Sequence, residues 1–143
     1  MALGQSMDIN SDKMNSSIEV LERLQELKTG ALIKASCVIP FLLSKNYEEI
    51  YLADIANIGH LIGKIYQITD DILDIESNTE TLGKTADKDR KNNKMTYISL
   101  VGKKEALKIK ANIFENLNKS IEQFPRKLIV LQNLAHYIYK RAY

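Results

Sequence analysis

The chain has 143 residues, a length typical of one domain, with 45% hydrophobic and 27% charged residues. Basic residues outnumber acidic ones only by 20 to 18, so overall charge gives no reason to expect nucleic acid as a partner. The longest apolar run, residues 38–43, is much shorter than the ~20 residues that span a bilayer. We therefore predict a soluble globular protein without a membrane span.

Apolar residues recur at helical spacing and alternating strand patterns are absent, which predicts an all-α fold. The sequence Ser16–Glu19 matches a capping box and predicts a helix from there to about Leu27. A second helix is predicted from Thr29 to Leu43, kinked or ended by Pro40. Residues 28–30 would then form a junction between two helices.

The longest predicted helix runs from about Tyr47 to Asp74. One face of it carries a stripe of isoleucines, namely Ile55, Ile58, Ile62, Ile65 and Ile72. A polar loop is predicted from Ile75 to about Lys91. Two more helices follow, Lys103 to Gln123 and Arg126 to Lys140, the second started by a proline.

The end of the long predicted helix is rich in carboxylates. Helical geometry places Gln67, Asp70 and Asp74 on one face, with Asp71 about 100° away. Asp70 and Asp74 repel each other at this spacing, and the helix dipole disfavours anions near a C-terminus. Mg²⁺ would relieve both effects, because it accepts one or two carboxylates and fills its shell with water and phosphate oxygens. Such a string alone is equally compatible with a solvated acidic helix end.

Cations lie on both sides of these carboxylates in the sequence. Residues 82–97 are rich in lysine, and Lys28-Thr29-Gly30 would offer an ammonium, a hydroxyl and free amides at the predicted junction. A single lysine is usually a solvated surface charge, but lysines together with paired carboxylates predict a diphosphate site. Magnesium and ammonium charges would make that diphosphate a good leaving group.

Five segments, in order, resemble motifs of the trans-isoprenyl (polyprenyl) diphosphate synthase family, of the farnesyl and geranylgeranyl type. They are Gly4–Asp8 (GQxxD), Lys28–Leu32 (KTGAL), Gly63–Gln67 (GxxFQ), Asp70–Asp74 (the second aspartate-rich motif) and Leu82–Tyr97 (LGK to KxTY). The resemblance implies the C-terminal part of an isoprenoid-synthase helical bundle. Residues 1–143 would thus be a partial polyprenyl synthase domain.

The same resemblance implies a role for each site residue. The Mg²⁺ ligands would be Asp70, Asp74, a supporting Asp71, and Asp89 through water. The catalytic lysines that contact the diphosphate would be Lys28, Lys84 and Lys94. Thr29 and Gln67 would line the site, and Tyr66, where the family usually has phenylalanine, would border the isoprenoid chain.

The implied reaction condenses an allylic prenyl diphosphate with isopentenyl diphosphate, with farnesyl or geranylgeranyl products. The family's first aspartate-rich motif does not occur in these 143 residues, so we expect this chain alone to be inactive. It would be a fragment of a full enzyme, a non-catalytic subunit or remnant that binds a partner synthase, or an unrelated helical protein with coincidental motifs.

The expected partners are a second copy, a full-length synthase or the missing N-terminal half. The composition, rich in Lys, Asn and Ile, suits an AT-rich genome such as that of a plastid. We therefore expect the chloroplast stroma or the cytoplasm.

Overall fold

A computed structural model of the chain describes residues 2–9, 16–81 and 95–141, with side chains for 2–6, 16–74 and 95–141. Within these ranges all regular secondary structure is helical, which confirms the predicted class. The helices are α1 (Ala2–Ile9), α2 (Ile18–Gln25), α3 (Ala31–Leu42), α4 (Leu52–Thr81), α5 (Tyr97–Val101), α6 (Lys103–Gln123) and α7 (Ile129–Lys140).

The N-terminus of α2 is capped by Ser17, one residue later than the predicted cap. The Ser17 hydroxyl accepts a hydrogen bond from the Val20 amide at 3.3 Å, which satisfies one of the free donors at the helix start. A hydrogen bond with Ser17 also lowers the pKa of Glu19, two residues on. The start signal in the sequence is therefore real, with the cap shifted by one position.

The predicted junction at residues 28–30 is wrong. The backbone passes from α2 through a π-helical turn, Glu26–Gly30, directly into α3 without leaving helical geometry. No residue there breaks or caps a helix. A π-helical turn holds more residues than an α-helical turn, so the chain continues as a helix and no free N-terminal amides arise. Pro40 lies inside α3, which ends two residues later.

Helix α1 lies directly across this π-helical turn. A Cβ atom on Gly4 would come within 2.3 Å of the Lys28 backbone nitrogen and 2.6 Å of the Leu27 carbonyl carbon. Since these are backbone atoms, a side chain at Gly4 could not be accommodated without moving one of the two elements. The crossing therefore fixes the segment that carries Lys28.

Helix α4 is the centre of the fold and contacts α2, α3, α5, α6 and α7. Its predicted apolar stripe is confirmed, and its buried apolar residues are Ile55, Ile58, Ile62, Ile65, Ile68, Ile72 and Leu73. The helix ends at Thr81, seven residues after the predicted end at Asp74. Because a helix dipole acts within its last turn, the predicted dipole penalty on the aspartates does not apply.

The C-terminal part was predicted in outline. The bounds of α6 are confirmed, while α7 begins at Ile129 rather than Arg126, because the Phe124 backbone is extended and the chain bends at residues 124–126. Helix α5 was not predicted. It is short, is capped by Thr96 and ends at Val101, and it is followed by Gly102, whose φ of 81° favours glycine.

Candidate functional site

A cavity of about 190 Å³ lies between the α2–π-turn segment and the second half of α4. Six of the predicted site residues line it. The described residues that line it are Leu21, Leu24, Gln25, Lys28, Thr29, Tyr66, Gln67, Asp70, Asp71 and Met95. The fold thus brings together an ammonium, a hydroxyl, amides and carboxylates that lie up to 46 residues apart in the sequence, between Gln25 and Asp71.

The three aspartates of the Asp70–Asp74 segment differ in exposure. Asp70 is partly buried and lines the cavity, Asp71 is buried with 8% exposure, and Asp74, one turn further along α4, is exposed. Lys84, Asp89 and Lys94 lie outside the described residues. The structure therefore shows the surroundings of seven of the ten predicted site residues.

Asp71 is held by hydrogen bonds from two other elements. Its Oδ2 accepts from the Gln25 side-chain amide at 3.3 Å and from the Tyr97 backbone amide at 3.0 Å. A buried carboxylate is tolerated only where donors replace its lost hydration. These bonds connect α4 to α2 and to the first residue of α5.

Tyr97 connects the same elements through its side chain. Its ring is 1% exposed, and its hydroxyl donates to Glu22 Oε1 at 3.1 Å, while Lys64 Nζ lies 2.7 Å from that oxygen. Burial, followed by the neighbouring charges of Glu22 and Asp71, raises the pKa of the Tyr97 hydroxyl well above its ordinary range. The phenol therefore stays a hydrogen-bond donor at any ordinary pH.

Four lining residues were not predicted from the sequence, namely Leu21, Leu24, Gln25 and Met95. Gln25 precedes Lys28 by only three positions, but the junction predicted at residues 28–30 put the two on different helices, so there was no reason in the sequence to place them in one wall. Met95 carries no local signal either, since its place in the wall depends on where the chain returns after α4.

The donor set fits a magnesium diphosphate better than either component alone. Lys28, Thr29 and Gln67 offer donors to phosphate oxygens, whereas Asp70 would repel a bare diphosphate unless a cation lay between them. Among the described side chains no group of three or more acidic, histidine or cysteine residues could enclose a metal. Mg²⁺ commonly takes one or two carboxylates and completes its shell with water and phosphate.

The sequence profile of the polyprenyl synthetase family matches residues 1–131. The chain belongs to this family. It is 35% identical to a dimethylallyltranstransferase of Fischerella ambigua over 100% of this chain and 41% of the relative. It is 31% identical to the farnesyl diphosphate synthase of Escherichia coli, over 99% of this chain and 48% of the relative.

A chloroplastic geranylgeranyl pyrophosphate synthase of Arabidopsis thaliana is 32% identical over 96% of this chain and 39% of its own length. The polyprenyl synthetase fold is seen in an FPP/GFPP synthase of Zymomonas mobilis, with a TM-score of 0.77 and 23% identity, over 96% of this chain and 45% of that one. The chain thus spans less than half the length of these four relatives. In the described residues, no helix is both long and apolar enough to cross a bilayer.

Proposed function

We propose that this chain supplies the magnesium-diphosphate site of a prenyltransferase that condenses an allylic diphosphate with isopentenyl diphosphate in isoprenoid biosynthesis. The observation that carries the proposal is the cavity in which Lys28, Thr29, Gln67 and Asp70 face one space. Membership of the polyprenyl synthetase family supports the same reaction class.

Each residue has a distinct proposed part. The Lys28 ammonium and the Thr29 hydroxyl bind phosphate oxygens, and the Gln67 amide orients them. Asp70 and the exposed Asp74 hold Mg²⁺, and Asp71 supports them from its buried position. When bound, Mg²⁺ supplies positive charge that stabilises the departing diphosphate. Tyr66, at the cavity edge, contacts the isoprenoid chain.

Three further roles rest on the family resemblance alone. Lys84 and Lys94 are proposed to contact the diphosphate, and Asp89 to hold a metal-bound water. These positions lie outside the described residues, so the cavity geometry does not bear on them.

The proposal is tested by calorimetric titration of the 143-residue chain with inorganic pyrophosphate, with and without Mg²⁺. We expect Mg²⁺-dependent binding that Asp70→Ala and Lys28→Ala each weaken by about tenfold or more, because each removes a charge-assisted contact. Matched controls are Asp54→Ala in the first turn of α4 and Lys34→Ala on α3, both exposed. Equal binding with and without Mg²⁺, or equal losses in the controls, would contradict the proposal.

A second candidate function is a non-catalytic subunit that binds a partner synthase. Exposed apolar side chains on and after α3, among them Leu32, Ile39 and Leu43, favour it. Both candidates predict that the purified chain alone does not turn over dimethylallyl and isopentenyl diphosphates. Retention of pyrophosphate binding together with co-purification with a full-length farnesyl diphosphate synthase would support the second. Mg²⁺-dependent product from the chain alone would contradict that shared prediction and exclude a non-catalytic role.

The location of this chain is proposed to be the plastid stroma or the cytoplasm. The residue composition supports the plastid, and the Arabidopsis relative is named as chloroplastic. Fractionation of cells that express a tagged copy of the natural gene would distinguish the two compartments.

A further inference from the structure

The neighbouring aspartates on α4 both line the cavity but differ in burial and in the partners that hold them. Asp70 is partly buried, whereas the Oδ2 atom of buried Asp71 accepts hydrogen bonds from Gln25 and from the first amide of α5. A carboxylate oxygen that satisfies two protein donors in a buried position fixes those donors firmly in place. The Asp71 carboxylate is thus placed to organise the protein around the cavity.

Tyr97 is restrained at both of its ends. Its amide binds Asp71 on α4, and its hydroxyl binds Glu22 on α2, which in turn pairs with Lys64 on α4. The ring between these two ends is buried in the core. Tyr97 therefore ties the start of α5 to both elements that form the cavity.

The restraint on Tyr97 also positions Met95, which lies two residues before it in the sequence. Met95 forms part of the cavity wall, and Thr96, between it and Tyr97, caps α5 through a reciprocal capping box with Ser99. Gln25, the other partner of Asp71, is itself a lining residue. Two parts of the wall, Gln25 and Met95, thus depend on the same set of hydrogen bonds.

We infer that Asp71 and Tyr97 are positioning residues, which hold Gln25 and Met95 in the wall of the diphosphate cavity, and that Asp71 acts through them rather than as a metal ligand. The inference rests on the proposed function and gives different tasks to Asp70 and Asp71. Asp70 meets the ligand, and Asp71 shapes the space that receives it.

The first test compares conservative and truncating variants in the pyrophosphate titration. Asparagine at position 71 can still accept a hydrogen bond from the Tyr97 backbone amide, whereas alanine cannot. Asp71→Asn is therefore expected to regain most of the affinity lost in Asp71→Ala, a loss of about tenfold. Asp70→Asn is expected to bind as weakly as Asp70→Ala, because an amide is a poor replacement for a carboxylate on Mg²⁺. Equal losses in Asp71→Asn and Asp71→Ala would overturn the inference.

The second test removes one oxygen atom from Tyr97. Tyr97→Phe is expected to weaken Mg²⁺-pyrophosphate binding by about threefold to tenfold. The same substitution is expected to have a smaller effect in a Met95→Ala background, because Tyr97 acts through the Met95 side chain in the cavity wall. The half-saturating Mg²⁺ concentration is expected to stay unchanged, unlike that of Asp70→Asn. Tyr137→Phe, at an exposed position on α7, is the matched control.

The outcomes separate the two proposals. If the unaltered chain does not bind Mg²⁺-pyrophosphate, both the proposed function and this inference fail. If it binds and Tyr97→Phe behaves like Tyr137→Phe, only the inference fails. Should far-UV circular dichroism show that Tyr97→Phe is unfolded, Glu22→Ala replaces it, because that change removes the acceptor of the hydroxyl and leaves the ring in the core. An unchanged affinity in Glu22→Ala would overturn the inference equally.

Discussion

Helices α3 and α4 are both apolar, yet they differ sharply in burial. Among the described side chains of α4, seven apolar residues are buried, whereas α3, with a single charged residue in its 12 positions, contains no buried residue. Ile33, Cys37, Val38 and Phe41 of α3 do pack on the core, but Leu32 and Ile39 are 55% and 53% exposed. Helix α4 contacts five other helices, whereas, among the helical elements of the described residues, α3 contacts only α4 and the adjoining π-helical turn.

The comparison shows that composition alone does not decide burial. A helix that is apolar on all sides normally lies within a larger core, and a contiguous exposed apolar patch marks a surface that binds something. The patch on α3 continues into the segment after it, through Leu43, Tyr47 and Ile50. This surface supports the proposed association with a further polypeptide.

The largest effect is expected in α4. Ile62 is 2% exposed at the centre of the core, so Ile62→Ala leaves a cavity that the packed helices cannot fill. We expect the free energy of unfolding to fall by about 2–5 kcal/mol in urea denaturation. A loss below about 1 kcal/mol would mean that the α4 core of the free chain is loosely packed, and would remove the contrast with α3.

A smaller effect is expected where the two helices meet. A Cβ atom on Gly59 of α4 would lie 3.0 Å from the Lys34 Cα and 3.2 Å from the Cys37 Cβ of α3. Gly59→Ala should stabilise the fold by about 1 kcal/mol through higher helix propensity. It should also destabilise the fold by about 1–3 kcal/mol, because the new methyl group crowds the α3 backbone. We expect a net loss of about 1 kcal/mol. A gain of about 1 kcal/mol would show that α3 moves aside freely.

Cys37 reports on the same contact chemically. Burial raises the pKa of its thiol, so at a given pH the folded chain holds less thiolate than an unfolded chain does. Alkylation by iodoacetamide should therefore be slow at pH 8 and accelerate as the pH rises past the ordinary thiol pKa. Gly59→Ala should speed the reaction at pH 8, because displaced α3 exposes the thiol. The same rate in both proteins would mean that α3 has not moved.

The fold was predictable from sequence where one local signal dominates. The isoleucine spacing of α4 and the bounds of α6 follow from periodicity, and both are confirmed. The continuous run through Glu26–Gly30 was not predictable, because a π-helical turn has no residue signature and the crossing of Gly4 that fits it is a tertiary contact. Helix α5 is too short for a periodic pattern.

The site shows the same division. Lys28, Thr29, Gln67 and Asp70 were predicted from residue chemistry and motif order, and the fold gathers them around one cavity. The hydrogen bonds of Asp71 could not be predicted, because its donors come from two distant segments. Sequence pattern indicates which residues are chemically capable, whereas packing decides which of them face the cavity.

The smallest effect is expected on the outer face of α3. Ile39→Ser removes an apolar side chain that is already 53% exposed. Little free energy of apolar burial is therefore lost, and no cavity forms. The free energy of unfolding should change by no more than about 0.5 kcal/mol in the same urea experiment that detects Ile62→Ala. The variant should nevertheless lower self-association in light scattering, because it interrupts the patch between Leu32 and Leu43. A loss above about 2 kcal/mol, with unchanged scattering, would mean that the free chain already covers α3 and would remove the contrast between the two helices.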